Sequence, residues 1–129
     1  MSRVKADCLR FNPNIKVQLV QIDLSKPEEV LNVIKSEVKV PVDILINNGG
    51  ISMREEFTNL EFSTCEYLMN TNCMSHIALT KSLLPKMIKE KNHAQIENIL
   101  SISGLMGVPV RTMYCASKFA MDGFSKALR

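Results

Sequence analysis

Three short runs rich in β-branched residues alternate with three longer amphipathic stretches, and this alternation limits the possible folds more than any other feature. The runs are 16–22, 42–46 and 95–101. Each is followed by residues with apolar side chains at helical spacing, in 26–38, 64–91 and 112–129. The middle stretch carries Leu68, Cys73, Ile77, Leu83, Leu84 and Met87. Strand, helix, strand, helix, strand, helix predicts parallel strands joined by helical crossovers, an α/β sheet. Ser25-Lys-Pro-Glu28 and Ser63-Thr-Cys-Glu66 read as capping boxes that open the first two of these helices. Pro85 should kink the long helix or mark a boundary in it. Residues 3–11 read as a helix tail ended by Pro13, and Glu97 is a charge inside an otherwise apolar strand.

Composition removes several classes of function. A chain of 129 residues, 46% hydrophobic and 22% charged, supports one globular domain with one core. A net charge of +3 and 5% aromatic residues do not suit a nucleic-acid binder, and no nucleic-acid partner is expected. Cys8, Cys65, Cys73 and Cys115 form no C-x-x-C pair and have no histidine at ligand spacing, so no metal site is expected. Cys115 reads as a small packed residue, His76 as a packing residue and His93 as a loop residue at a helix end. No apolar window reaches the roughly 18 residues of a membrane span, and the polar start, Met-Ser-Arg-Val-Lys-Ala-Asp, is neither a signal peptide nor an anchor.

Ligands of open α/β sheets bind at the carboxyl ends of the strands. The polar residues fall there: Asp23 after the first run, Asn47-Asn48-Gly49-Gly50 after the second, Ser101 after the third. A loop with Gly104, Gly107 and Pro109 then leads to Tyr114 and Lys118, four apart, on one face of the last helix. A phenol is a poor base at neutral pH, and an ammonium within roughly 4–6 Å favours its ionised form. A serine hydroxyl at the neighbouring strand end can hold a carbonyl or an alcohol beside it. The three together make a proton-transfer site.

Ser101, Tyr114-Cys-Ala-Ser-Lys118 and Asn47-Asn-Gly-Gly50 together resemble the short-chain dehydrogenase/reductase family, most closely the subfamily around dehydrogenase/reductase member 7. The resemblance implies the central part of a doubly wound parallel-sheet (Rossmann) domain, one incomplete domain over 1–129, without the first βαβ unit and the C-terminal strands. It implies an NAD(P)-dependent oxidoreductase, with NADP(H) ahead of NAD(H), that interconverts a small-molecule carbonyl and a secondary alcohol of steroid, retinoid or similar lipid type. Tyr114 would be the general acid or base, Lys118 its cationic partner and a cofactor ligand, and Ser101 the residue that orients the substrate oxygen. Asn72 would complete a proton relay to Lys118; otherwise it is a satisfied core amide. Asp23 and Leu24 would contact adenine; otherwise Asp23 is a loop aspartate. Asn47, Asn48 and Gly49 would line the cofactor site; otherwise they bond strands only. Gly49 stands where the family usually has alanine, and Ser75 where it commonly has glycine. Met106 and Met113 are candidates for a substrate pocket.

In the strand order 3-2-1-4-5-6, the three runs here would be strands 3, 4 and 5. Strand 3 would then slide to pair with strand 4 or stay loose. The family's oligomer contacts would fall on 64–91 and 112–129, and subfamily relatives suggest the endoplasmic reticulum membrane. The alternatives are a catalytically incompetent fragment acting as an interaction module, or an epimerase of the extended branch. The Asn-Asn-Gly-Gly turn and the spacing from Ser101 to Tyr114 favour the short-chain branch over the epimerase.

Overall fold

A computed structural model describes residues 2–90 and 94–128. In chain order the elements are α1 (Ser2–Phe11), α2 (Pro27–Glu37), β1 (Ile44–Asn47), α3 (Phe62–Met69), a π-helical turn (Asn70–Met74), α4 (Ser75–Glu90), β2 (Gln95–Asn98) and α5 (Thr112–Ala127). Short 3₁₀ turns lie at Phe57–Asn59 and Ile102–Gly104. β1 and β2 pair in parallel, with Ile44 opposite Gln95 and Asn47 opposite Asn98. The fold is the expected α/β arrangement. Among the described residues no helix is long and apolar enough to cross a membrane.

The strand expected at 16–22 does not form; among the described residues the sheet has two strands, β1 and β2. A strand exists only through a ladder with a neighbour, and in the doubly wound order two strands would separate this run from β1. The run therefore stays unpaired instead of sliding across. Its end still packs: Ile22 and Leu24 lie against a core of Val30, Ile34, Leu45, Ala78, Leu83 and Met87. That core joins α2 and α4 beneath β1. β1 turns Leu45 and Asn47 inward and leaves Ile44 and Ile46 outward, 54% and 57% exposed.

Neither capping box forms. Asp23 takes both the backbone N–H and the hydroxyl of Ser25, at 2.9 and 2.7 Å, so α2 opens at Pro27 behind Lys26 without a side-chain cap. α3 begins earlier than expected, behind Glu61, which puts Ser63 inside the helix. The helix expected at 64–91 is interrupted at the π turn, while Pro85 lies inside an unbroken α4. Proline removes one backbone donor; buried Leu83 and Met87 flank it and hold the helix on the core. Glu97 is on the exposed side of β2, where its carboxylate accepts from Gln95 Nε2 at 2.8 Å. His93 lies outside the described residues.

Candidate active site

The carboxyl ends of β1 and β2 open onto a cavity of about 240 Å³ lined by Asn48, Gly50, Ile51, Ser52, Ile99, Leu100, Tyr114 and Lys118. Helical spacing brings Tyr114 and Lys118 together on α5, with Lys118 Nζ 5.9 Å from the centre of the phenol ring. Lys118 is only 6% exposed, and its ammonium donates to the Ile99 carbonyl at 2.9 Å. This bond ties the helix to the chain leaving β2 and leaves two N–H donors of the ammonium for other partners.

Ser101 follows β2 as expected but does not line the cavity. Its Oγ accepts from the Ser103 N–H at 3.1 Å and caps the turn Ile102–Gly104. A hydroxyl used as an acceptor still has its proton to donate. The turn seats against α5 only because residue 104 is glycine: a Cβ there would stand 2.9 Å from the Lys118 carbonyl oxygen. The loop before α5 is held to the opposite wall. Arg111 donates to Ser52 Oγ at 2.9 Å, and the Glu55 N–H donates to the Val110 carbonyl at 2.9 Å. Val110 has φ 58°, a left-handed conformation that a β-branched residue adopts only under strain. Met113 faces a separate cavity with Phe62, Cys65 and Met69, while Met106 is exposed.

Asn72 is fully buried in the π turn. Its amide takes the Ile51 N–H at 2.8 Å and donates to the Ile51 carbonyl and Ser117 Oγ, at 2.9 and 3.0 Å. Both N–H donors of the side chain are thereby used. Asn72 holds Ile51, which lines the cavity, without lining it itself. Asn47 donates to Thr80 and to Asn98 across the sheet, at 3.2 and 2.8 Å, and so lies behind the site. Asn48 is exposed on the wall. Asp23 is exposed, and the two Ser25 bonds, with help from Lys26, lower its carboxyl below the usual value.

Reading the sequence missed a buried polar stripe. Asn72, Ser75, His76 and Thr80, at helical spacing, all face the loops at the sheet's carboxyl edge: Ser75 bonds Leu24, Thr80 bonds Asn47, and His76 lies against Gly49. Spacing of three and four among apolar neighbours was the available signal. Burial raises the Cys73 thiol, which keeps it protonated and inert. Burial, and then the Lys118 ammonium, lower the His76 imidazole, against a Gly49 backbone contact that raises it. His76 is 2% exposed, and its Nε2 has no hydrogen-bond partner among the described residues. The unfolded chain thus binds this proton more readily than the folded one. The stability due to neutral His76 is complete above about pH 6.5 and falls as pH drops below it. Wild-type Tm should decrease between about pH 7 and pH 5, and His76→Gln should flatten part of that slope. An unchanged slope would mean that other groups cause it.

A family model described as short chain dehydrogenase matches residues 3–129. A Drosophila melanogaster protein named dehydrogenase/reductase SDR family protein 7-like is 38% identical over 135 residues, 100% of this chain and 40% of that protein. Human 17-beta-hydroxysteroid dehydrogenase 13 is 36% identical over 126 residues, 95% of this chain and 41% of that one. The solved structure of 4-hydroxyisoleucine dehydrogenase complexed with NADH matches with a TM-score of 0.78 at 33% identity, covering 86% of this chain and 50% of that one. The chain spans about two fifths of the length of these curated relatives. With a match over nearly its whole length, and with a tyrosine and a lysine set one helical turn apart at the sheet's carboxyl edge, the chain belongs to the short-chain dehydrogenase family.

Proposed function

We propose that this chain is the central part of an NAD(P)-dependent oxidoreductase that interconverts a carbonyl and a secondary alcohol. The observation that supports it most is the placement of Tyr114 and Lys118 on one wall of the cavity beyond β1 and β2. The residues present suit a dinucleotide. Gly50 on that wall packs close to Asn72, where a Cβ would stand 3.1 Å from Asn72 Oδ1, Asn48 is exposed beside it, and the buried Lys118 ammonium has donors to spare. Lys118 and Asn48 would hold the nicotinamide half, Asp23 and Leu24 would contact adenine, and Gly49 would leave room for the cofactor between them. The nicotinamide, when bound, supplies or takes the hydride.

The chain's own groups handle the proton. The Tyr114 hydroxyl gives it to, or takes it from, the substrate oxygen, and Lys118 places positive charge beside the ring. Ser101 keeps its hydroxyl proton and orients the substrate oxygen through it. Asn72 acts by position: it fixes Ile51 and Ser117 around the site, with both side-chain N–H donors spent on them. Ile51, Ile99 and Leu100 give the cavity an apolar side suited to a steroid or similar lipid ketone, the substrate class named in the human relative.

A second reading, an interaction module, is favoured by the exposed Phe62, Tyr67, Met74 and Phe119 on α3, the π turn and α5, where oligomer contacts would fall. A chimera separates the two. This chain replaces the matching segment of human 17-beta-hydroxysteroid dehydrogenase 13, and the product is assayed with NADPH or NADH and a steroid ketone. Consumption of reduced cofactor, faster with NADPH, is expected. A chimera that melts cooperatively and binds dinucleotide but never turns over would sink the oxidoreductase reading.

A further inference from the structure

Leu24 is held at two points by residues distant in the chain. Ser75 is fully buried, and its hydroxyl donates to the Leu24 carbonyl at 2.5 Å. The Leu24 side chain occupies the space beside Gly49, where a Cβ would stand 2.4 Å from Leu24 Cδ1. Contact at that distance forces a displacement. Main chain and side chain of one loop residue are thus fixed separately, one by α4 and the other by the turn after β1. The unpaired run 16–22 has no ladder; it is held by Ile22 on the core and by Gln18 Nε2, which donates to the Glu37 carbonyl at 3.1 Å.

From this geometry we propose that Ser75 is a positioning residue, and that Ser75 and Gly49 act together as a lock on Leu24. The lock joins the Leu24 loop to the Asn47–Ile51 turn before any ligand arrives. The π turn makes this possible. Its bonding runs from the Ser75 N–H back five residues to the Asn70 carbonyl. One residue is added to the turn, and the Ser75 hydroxyl comes round to the loop side of the helix. Ser75 touches neither substrate nor cofactor; it acts through Leu24. As a device for dinucleotide binding, the lock rests on the reading above.

The test uses the 129-residue chain, isotope-labelled for NMR. The Lys26 N–H donates to the Asp23 carbonyl at 3.1 Å and reports on the loop. Ser75→Ala should lower its protection from hydrogen exchange about tenfold, while the amides of α2 and α4 keep theirs. Gly49→Ala should do the same by expelling the Leu24 methyl. Because both act on one residue, the double variant should add little to either single. Ser75→Thr, which restores the hydroxyl, should recover protection in part. Equal loss across α2 and α4, or additive effects of the two substitutions, would overturn the lock. NADPH titration of the 17-beta-hydroxysteroid dehydrogenase 13 chimera supplies the functional arm, and Ser75→Ala in it should weaken binding about threefold to tenfold. Equal affinity of wild type and variant would overturn a role in dinucleotide binding. Loss of Lys26 protection on Ser75→Ala, with a chimera that melts cooperatively but binds no NADPH, would support the lock and count against the oxidoreductase reading.

Discussion

Tyr114→Phe is expected to lower turnover in the steroid dehydrogenase chimera by about 10²–10⁴-fold, the usual contribution of a positioned acid or base. Phenylalanine keeps the ring, its packing on α5 and its position 5.9 Å from the Lys118 ammonium. It removes only the hydroxyl. Dinucleotide affinity should therefore stay within about twofold, because uniform binding interactions are retained. The measurement is kcat alongside an equilibrium titration with NADPH. A variant that turns over within about tenfold of its parent would remove Tyr114 from the proton path.

The second large effect is on stability. Asn72→Leu should cost about 3 kcal/mol, read as a lower urea midpoint at unchanged slope. The residue is completely buried and makes three hydrogen bonds, two of them to the backbone of Ile51. Leucine fills similar space but leaves the Ile51 N–H and carbonyl without their partner, while the Ser117 hydroxyl keeps only its bond to the Tyr114 carbonyl. Removing one partner of a buried pair costs more than the pair contributes net. The loss should also free Ile51, so any bound dinucleotide should dissociate faster. A midpoint within error of wild type would mean that water satisfies these groups and that the clamp is dispensable.

Much of this was legible in local sequence, and the rest was not for identifiable reasons. Tyr114 and Lys118 are four apart on a helix, so their proximity follows from helical geometry alone. The strands at β1 and β2 lie within or beside the runs 42–46 and 95–101. The run 16–22 has equal β character and is not a strand, because pairing is a property of two segments and its neighbours in the doubly wound order are not in this chain. The capping boxes failed against local competitors: Asp23 captured Ser25, and Glu61 took the position before α3. The π turn has no compositional mark. Gly49 and Ser75 both stood out against the family's usual residues, but only the fold brings them to the same leucine. Ser101 was placed correctly after the third run, yet its bond to Ser103 depends on a tight turn that glycine 104 admits.

The π turn has a wider consequence. Each residue advances an α-helix by roughly 100°, so one extra residue between α3 and α4 shifts the phase of everything beyond it. The segment before the shift is set for α5, and the segment after it for α2 and the floor of β1. A single helix thus serves two partners whose directions a regular spiral could not match. Rewinding positions 70–74 as plain α-helix with every residue kept would swing Ser75, His76 and Thr80 together away from the loops they hold, even with every amino acid in α4 unchanged.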